Sequence, residues 1–305
     1  MNKLTKTFVS LILLTLLFVF SCQKNKENND TIIEGKATVY VDESILPIVE
    51  DQQAVFETEY RARLHLVPKS ENEIVNSLLN DTAKIAVISR QLSKQELAAF
   101  QSKKINPRIT PFATDAIALI RNKTVNDSLI SMQDVIDFLN GKSVTNIKGL
   151  VFDNPNSSTV RYISEVSGVT VTNQKNVFSQ KTNEEVIKYV AEHDGMIGVI
   201  GMNWILQPPL ELQQFVDKVT VLGLKAINKT DYVFPTQDNL ATGKYPLARD
   251  LYIVNCQGYS GLGMGFGSFL TGERGQRIIL KSGLLPVRTP GRKILIRNTI
   301  TKDKN

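Results

Sequence analysis

The sequence predicts an α/β protein made of two similar units. Short apolar stretches alternate with segments of helical spacing along most of the chain, a pattern typical of βαβ units around a parallel sheet with helices on both faces. The stretch KIAVI at 84–88 is a continuous apolar run, as expected for a strand buried on both sides. The pattern starts again at residue 116, and 247–255 predicts a strand that could return to the first unit.

In the first unit, the β-branched residues of 37–41 predict a strand, and the apolar spacing within 44–60 predicts the helix that follows it. A second strand is expected over 62–67. A helix over 71–79, with one apolar face, then precedes the third strand at 84–88.

The second unit repeats this order. Its predicted elements are strands at 116–120, 149–152 and 196–200 and helices at 131–139, 158–166 and 183–191. Polar and turn residues predict an irregular stretch over 228–245 after a short apolar segment at 218–224. Two helices near 263–280 close the chain.

The first twenty-two residues have the three parts of an export signal. Lys3 and Lys6 precede an apolar run of thirteen residues, Phe8 to Phe20, and the small residue Ser21 stands before Cys22. A helix of that length rises ~20 Å, less than the ~30 Å hydrocarbon core, so no permanent membrane span is expected. The end of the segment resembles a bacterial lipobox, which implies a lipid on Cys22 and a protein held to a membrane outside the cytoplasm. An ordinary signal peptide cut elsewhere is the alternative.

These patterns predict six segments along the chain. The polar stretch 23–30 (QKNKENND) has no apolar anchor and predicts a flexible linker between lipid and domain. The predicted segments are a lipoprotein signal peptide at 1–21, a flexible tether at 22–35, the first part of lobe 1 at 36–114, lobe 2 at 115–240, the return to lobe 1 at 241–297 and a C-terminal tail at 298–305.

Charge and residue counts exclude several classes of function. The chain has 36 Lys and Arg against 30 Asp and Glu, and without Lys3 and Lys6 the excess is 34 against 30, a net charge of +4. These charges are scattered and form no basic stripe, so nucleic acid is not a predicted partner, while an anionic ligand is compatible. His65 and His193 stand alone, without metal-ligand spacing, so neither a metal nor a cofactor is predicted.

The two cysteines are not expected to form a disulfide. Cys22 is the predicted lipid site, and Cys256 ends an apolar run that begins at Leu251. With one of the two carrying lipid, no intramolecular pair remains. Cys256 is therefore predicted to be a small buried apolar residue.

Three corners combine hydroxyls or small polar residues with a helix start directly after a strand. They are 42–44 (DES), 89–93 (SRQLS) and 154–161 (NPNSSTVR). Ligands of open parallel sheets bind at the carboxyl ends of strands, where helix N-termini favour anions. Capping is the alternative for Ser44 and Ser93. Three consecutive hydroxyl residues at 157–159 exceed what a cap needs, and the cation Arg161 is unfavourable at a helix start without an anion.

Eight stretches of the chain then carry a resemblance to a known family. They are 41–44 (VDES), 88–92 (ISRQL), 114–118 (TDAIA), 152–161 (FDNPNSSTVR), 197–201 (IGVIG), 245–249 (YPLAR), 275–276 (GQ) and 283–286 (GLLP). In this order and spacing, from about Lys36 to Pro290, the chain resembles the PstS-like phosphate-binding lipoproteins of bacterial ABC transporters, in a divergent form found in Bacteroidota.

The resemblance implies a type II periplasmic binding protein fold, with two α/β lobes that are joined by two crossing strands and close on a ligand. It implies a monomer that captures phosphate or a similar small oxyanion and delivers it to an ABC permease. No catalysis is expected. A serine hydrolase is the enzymatic alternative, and it would require His193 to approach Ser157 or Ser158.

The resemblance also implies a set of ligand-binding residues. The family's serine–glycine–threonine phosphate loop falls on 157–159, with serine in the glycine place. The expected contacts are Asp42, Ser44, Ser89, Arg90, Ser157, Ser158, Thr159 and Arg161.

The chain departs from the family pattern at two places. The first loop carries Asp42 and Glu43, and an arginine common before the phosphate loop is replaced by Asp153 or its neighbour. A carboxylate near a dianion is repulsive unless it accepts a proton carried by the ligand. Asp42 is the candidate acceptor, and Glu43 is expected to point away or to start the helix.

Because of these acidic residues, a second function stays open, that of a sensor or surface-interaction lipoprotein which keeps the fold but binds another ligand.

Three further residues receive structural predictions. Asp115 is interpreted as a structural or hinge residue, and Tyr245 and Arg249 are placed on the returning crossing strand.

Overall fold

The computed structural model describes residues 30–172 and 174–291. The predicted signal peptide, the lipidation site Cys22 and the C-terminal tail lie outside these residues. Within the described part of the chain, no helix has both the length and the apolar character needed to span a membrane.

The first lobe begins with three parallel strands. β1 (Glu34–Asp42) lies between β2 (Arg61–Lys69) and β3 (Ile85–Ile88). The helices of this part follow the strands in turn. They are a 3₁₀ turn at Glu43–Ile45, α1 (Leu46–Glu59), α2 (Glu71–Leu79) and α3 (Lys94–Ser102).

Two long strands cross between the lobes. β4 (Arg108–Asn122) pairs along its first part with β12 (Ala248–Asn255) and along its last part with β8 (Met196–Gly201), both antiparallel. After β12, the chain completes the first lobe with α10 (Leu262–Thr271) and α11 (Glu273–Lys281). The short strand β13 (Leu285–Pro286) then pairs with β4.

The second lobe is built on β8, β6 (Gly149–Phe152) and β7 (Val177–Ser179), which are parallel to one another. A small sheet of three strands lies beside it: β5 (Leu129–Ser131), β10 (Gly223–Lys225) and β11 (Tyr232–Val233). The remaining elements are α4 (Met132–Leu139), α5 (Ser158–Ser167), α6 (Asn183–Glu192), α7 (Asn203–Leu206), a 3₁₀ turn at Leu210–Leu212, α8 (Gln213–Val216), β9 (Val219–Val221) and α9 (Gln237–Ala241).

Each lobe has its own apolar core. In the first lobe, alternate residues of the strands face opposite sides of the sheet, so that Val87 packs in one cluster with Phe56 while Ala86 packs in another with Phe100. The second lobe has one large cluster around the end of β4 and the strands β6 and β8. The predicted two-lobed α/β class with two crossing strands is confirmed.

Three details differ from the sequence prediction. The sheet is mixed, because the crossing strands run antiparallel to their neighbours. Helix α3 was not predicted, although a capping box between Ser93 and Glu96 marks its start. The stretch predicted to be irregular over 228–245 contains β11 and α9.

The predicted tether is wrong at its C-terminal end. β1 already begins at Glu34, and the carboxylate of Asp30 accepts hydrogen bonds from Tyr259 Oη and from the backbone N–H of Leu262, both at 2.6 Å. These contacts fix the chain against the start of α10 from residue 30 onward. The other predicted segment boundaries stay predictions. The boundary expected between residues 114 and 115 falls inside the continuous strand β4.

Candidate functional site

The three predicted corners lie together between the lobes. Asp42 ends β1, Ser89 directly follows β3, and Asp153 directly follows β6, and all three are at most 3% exposed. Parallel strands of each lobe thus present their carboxyl ends to the same cleft, as open α/β sheets do. The corners form one buried polar cluster.

At the first corner, Asp42 and not Ser44 is the cap. Asp42 Oδ1 accepts hydrogen bonds from Ser44 N at 3.1 Å and from Ser44 Oγ at 2.9 Å. The Ser44 hydroxyl then lies 2.9 Å from Ser158 Oγ of the other lobe. Capping therefore does not account for Ser44, whereas Ser93 is only the cap of α3.

The hydroxyl run 157–159 divides into two roles. Ser157 caps α5 through the N–H of Val160, and the hydroxyls of Ser157 and Thr159 both donate to Asp153 Oδ1. Ser158 instead faces the first lobe and lies against Ser44. Two of the three hydroxyls thus hold a carboxylate, and one bridges the lobes.

Arg249 lies at the centre of the cluster. Its guanidinium donates from Nη1 to Ser158 Oγ at 2.8 Å and from Nη2 to Ser44 Oγ at 3.0 Å, with Ser89 Oγ 3.4 Å from Nη1. Nη2 also donates to Asp115 Oδ2 at 3.0 Å, and the two residues are direct partners in the β12–β4 ladder. Sequence reasoning placed Arg249 on the crossing strand but missed its contact with all three corners.

The two predicted ligand arginines are engaged by carboxylates. Arg90 donates from Nε to Glu71 at 2.9 Å and from both Nη atoms to Glu96. Arg161 donates from Nε to Glu71 at 2.6 Å and from Nη1 to Glu165 at 2.8 Å. Both reach the cluster only through Glu71, whose Oε2 accepts from Ser89 Oγ at 3.1 Å.

Glu71 is the residue that sequence reasoning missed most clearly. It is fully buried at the start of α2, two residues after the end of β2, which is a fourth parallel strand end of the same kind as the three predicted corners. The rule that located those corners therefore points here as well. In the sequence, Glu71 is not distinguished from the acidic residues that are common in the first turn of a helix.

Further polar contacts join the lobes. Glu43 begins the 3₁₀ turn, as expected, and its carboxylate reaches across to the N–H and the side chain of Asn183 at 3.0 and 2.6 Å. Asn203 Nδ2 donates to the carbonyl of Ser44 at 2.9 Å. Gly201 faces that same carbonyl, and a Cβ on it would lie 2.1 Å from the oxygen, so only glycine permits this approach.

Four carboxyl groups in or beside the cluster hold protons more strongly than usual. Burial raises the pKa of Asp42 and of Asp115, against the opposing effect of Arg249. Burial also raises the pKa of Asp153 to about 6, and burial together with Asp153 raises the pKa of Glu43 to about 8. The cluster therefore combines hydroxyl and guanidinium donors with carboxyls that can carry a proton.

Other candidate features do not join this cluster. The His193 ring stacks on Tyr189 with centroids 4.0 Å apart, and the Ser157 hydroxyl is bound to Asp153, so a hydrolase pairing is not formed. Cys256 is buried, and burial raises the pKa of its thiol to about 11. Tyr245 Oη donates to the carbonyl of Ile117 at 2.8 Å, a contact inside the second lobe. Among the described residues, no group of His, Cys, Asp and Glu could hold a metal ion.

Two α/β lobes that are joined by crossing strands, with polar side chains buried between them, define a bilobal binding protein. Residues 28–274 match the family described as a PBP superfamily domain, and the chain belongs to that superfamily.

Individual relatives have similar length and fold. The phosphate-binding protein PstS of Borreliella burgdorferi is 24% identical over 302 residues, which cover 93% of this chain and 99% of the relative. A candidate phosphate ABC transporter substrate-binding protein from Clostridium perfringens, solved with bound phosphate, superimposes with a TM-score of 0.71 at 19% identity, over 83% of this chain and 100% of that one. An ABC-type phosphate transport receptor from Vibrio cholerae gives 0.61 at 17% identity, with the same coverage.

We expect Arg249→Met to destabilise the protein by about 3–5 kcal/mol, because it leaves Asp115 and Asp42 buried without their cation. The free energy of unfolding from urea denaturation measures this loss. Adding Asp115→Asn should recover part of it. Arg63→Met, at an exposed pair with Glu57, is the control and should change stability by about 0–1 kcal/mol. Equal losses in both single variants would contradict the central role of Arg249.

Glu43 should make stability fall as pH rises. Because its folded pKa of about 8 exceeds the ordinary 4.5, the folded state binds more protons between these values. The contribution is fully present below pH 4.5 and is lost as pH rises through about 8. We expect Glu43→Gln to flatten the fall in urea midpoint between about pH 6.5 and about pH 8.5, above the range of Asp153. Glu184→Gln, on the surface of α6, should leave the wild-type slope. An unchanged slope in Glu43→Gln would refute the assignment.

Proposed function

We propose that this protein captures phosphate, or a similar small oxyanion, between its two lobes outside the cytoplasm and delivers it to an ABC permease. One observation carries the proposal: a buried guanidinium, that of Arg249, meets hydroxyls from both lobes at a single point. Ser44 and Ser89 come from the first lobe and Ser158 from the second.

These groups suit a tetrahedral oxyanion. Several directed donors converge on a small volume, and charge-assisted hydrogen bonds from arginine are stronger than neutral ones. Ser158 is the first residue of α5. The free N–H groups and the partial positive charge of this helix N-terminus therefore also favour an anion at this point. An anion that entered here would replace the contacts between Ser44 and Ser158 by contacts to itself. Its hydration shell would be exchanged for fixed donors of both lobes.

The acceptor Asp42 supports phosphate over sulfate. It is 1% exposed and already takes hydroxyl hydrogens from Ser44 and Ser89. A phosphate that keeps a hydrogen at neutral pH can donate to such a carboxylate, whereas sulfate has none and would meet a bare negative charge. All three relatives named above are described by their phosphate binding or transport, which agrees with this chemistry.

The same proposal covers the location of the protein. The charged and apolar N-terminal segment that ends at Cys22 supports export and lipid attachment, with the binding domain held at a membrane as a monomer. No chemical step is needed for capture and release, so no catalytic residue is proposed.

A second candidate is a lipoprotein that keeps the fold as a sensor or surface-interaction module for another ligand. The acidic content of the site favours it, because Asp42, Glu43 and Asp153 all lie in or beside the cluster. These charges repel a dianion unless protons compensate for them. Binding measurements separate the two candidates.

We expect phosphate to bind and sulfate to be rejected in isothermal titration calorimetry of the mature chain from Cys22, freed of bound ligand by unfolding and refolding. Replacing 157–159 by alanines should abolish binding without unfolding the protein. Ser158→Ala alone should weaken affinity by about 1–3 kcal/mol, or about 5- to 150-fold, because a buried charged donor loses its acceptor.

Ser164→Ala is the matched control on the same helix. Its hydroxyl donates only to the carbonyl of Val160, so phosphate affinity should stay at the wild-type value. Unchanged affinity in the 157–159 triple variant would refute the site. No heat from either anion with the wild-type chain would favour the second candidate.

The lipid anchor has its own test. The full chain, produced in a bacterium and extracted from its membranes, should begin at Cys22 and carry the added mass of a diacylglyceryl group in intact-mass spectrometry. A mature chain that begins at another residue, with an unmodified Cys22 or none, would contradict the lipoprotein assignment.

A further inference from the structure

One serine hydroxyl lies between two buried carboxylates. Ser89 Oγ is 3.1 Å from Asp42 Oδ2 and 3.1 Å from Glu71 Oε2. Ser89 is 3% exposed, Asp42 1%, and Glu71 not at all. A hydroxyl has a single hydrogen to donate, so Ser89 can satisfy only one of these two oxygens at a time.

The two carboxylates differ in their other partners. Glu71 Oε1 accepts from Arg90 Nε and Arg161 Nε, and its Oε2 accepts from Arg161 Nη2 at 3.3 Å. Glu71 therefore has two guanidiniums as direct partners besides Ser89. Asp42 Oδ2 has Ser89 as its hydrogen-bond donor, so this oxygen is without a donor whenever the Ser89 hydrogen is directed to Glu71.

The three arginines in and beside the cluster are each already paired with carboxylates. Arg249, on β12, is the cation that faces Asp42, and it is shared with Asp115 of β4. Arg90 is bound by Glu96 as well as Glu71, and Arg161 by Glu165 as well as Glu71. Glu43 and Asp153 add two further carboxyl groups, from the 3₁₀ turn and from the second lobe.

Adding a dianion beside Arg249 would therefore bring two further negative charges next to Asp42 and Glu71. At the short distances of this cluster, like charges in a buried site repel one another far more strongly than they would in water. One proton taken up with the ligand, and held between Asp42 and the ligand, removes one negative charge from this cluster.

Building on the function proposed above, we propose that Glu71 is a specificity-determining residue, whose ion pairs beside Ser89 make the site take up one proton from solution with each phosphate dianion. It acts through Ser89 and Asp42 and not by touching the ligand. The balance is one dianion and one proton bound per protein, with the proton supplied by the buffer.

The test is calorimetry of phosphate with the full chain, purified from membranes in detergent, at about pH 8.5, where free phosphate is mostly the dianion. Two buffers with different ionisation enthalpies give the number of protons taken up. We expect about one per phosphate, and affinity that falls about tenfold per pH unit above neutrality.

Glu71→Gln should reduce the uptake toward zero and flatten this pH dependence. Glu165→Gln is the matched control, because it removes the same charge from the other side of Arg161 without touching Ser89. It should keep an uptake of about one proton. A merely structural role of Glu71 would lower affinity without changing the proton count.

Phosphate binding without proton uptake in the wild-type chain overturns the inference and leaves the proposed function intact. An unchanged uptake in Glu71→Gln overturns the role of Glu71. If that variant does not fold, the wild-type comparison of two buffers still decides on proton uptake. No heat from phosphate at any pH overturns the proposed function, and this inference with it.

Discussion

The ion pair between Arg249 and Asp115 is the interaction on which the site depends. The two residues are direct partners on the two crossing strands, and both are buried. A buried guanidinium needs acceptors around it, and Ser44 and Ser158 supply them from opposite lobes. The hinge and the candidate site are therefore not separate parts of the molecule. The strands that join the lobes also carry the cation around which the lobes close.

Several polar contacts join the two lobes across the cleft. Ser44 meets Ser158, Glu71 meets Arg161, and Glu43 meets Asn183 across the cleft. Such groups find water as an alternative partner when the lobes separate, so each contributes little net free energy to the closed state. Apolar surface of the same area would hold the lobes together more strongly. A cleft lined in this way suits a protein that must open again to release its ligand.

Local sequence signals predicted most of the helices and strands, but they did not predict which charged residues pair with one another. The helix at 71–79 and the strand at 149–152 match the prediction at both ends, because apolar spacing and caps act over a few residues. One partner of Glu71 is Arg161, ninety positions further along the chain. Spacing says nothing about a contact of this range. Arg249 shows the same limit, since its strand was predicted but its partners were not.

The acidic residues decide how the site can discriminate. A cavity that only offered donors would accept any small anion that fits, because hydration energy and size are similar for several tetrahedral oxyanions. Asp42 changes this, since a buried carboxylate rewards a ligand that can donate a hydrogen and repels one that cannot. Glu71 strengthens the same selection by holding charge beside Ser89. In the function proposed here, discrimination between anions thus follows from where this site holds protons, and Asp42 and Glu71 are the residues proposed to set it.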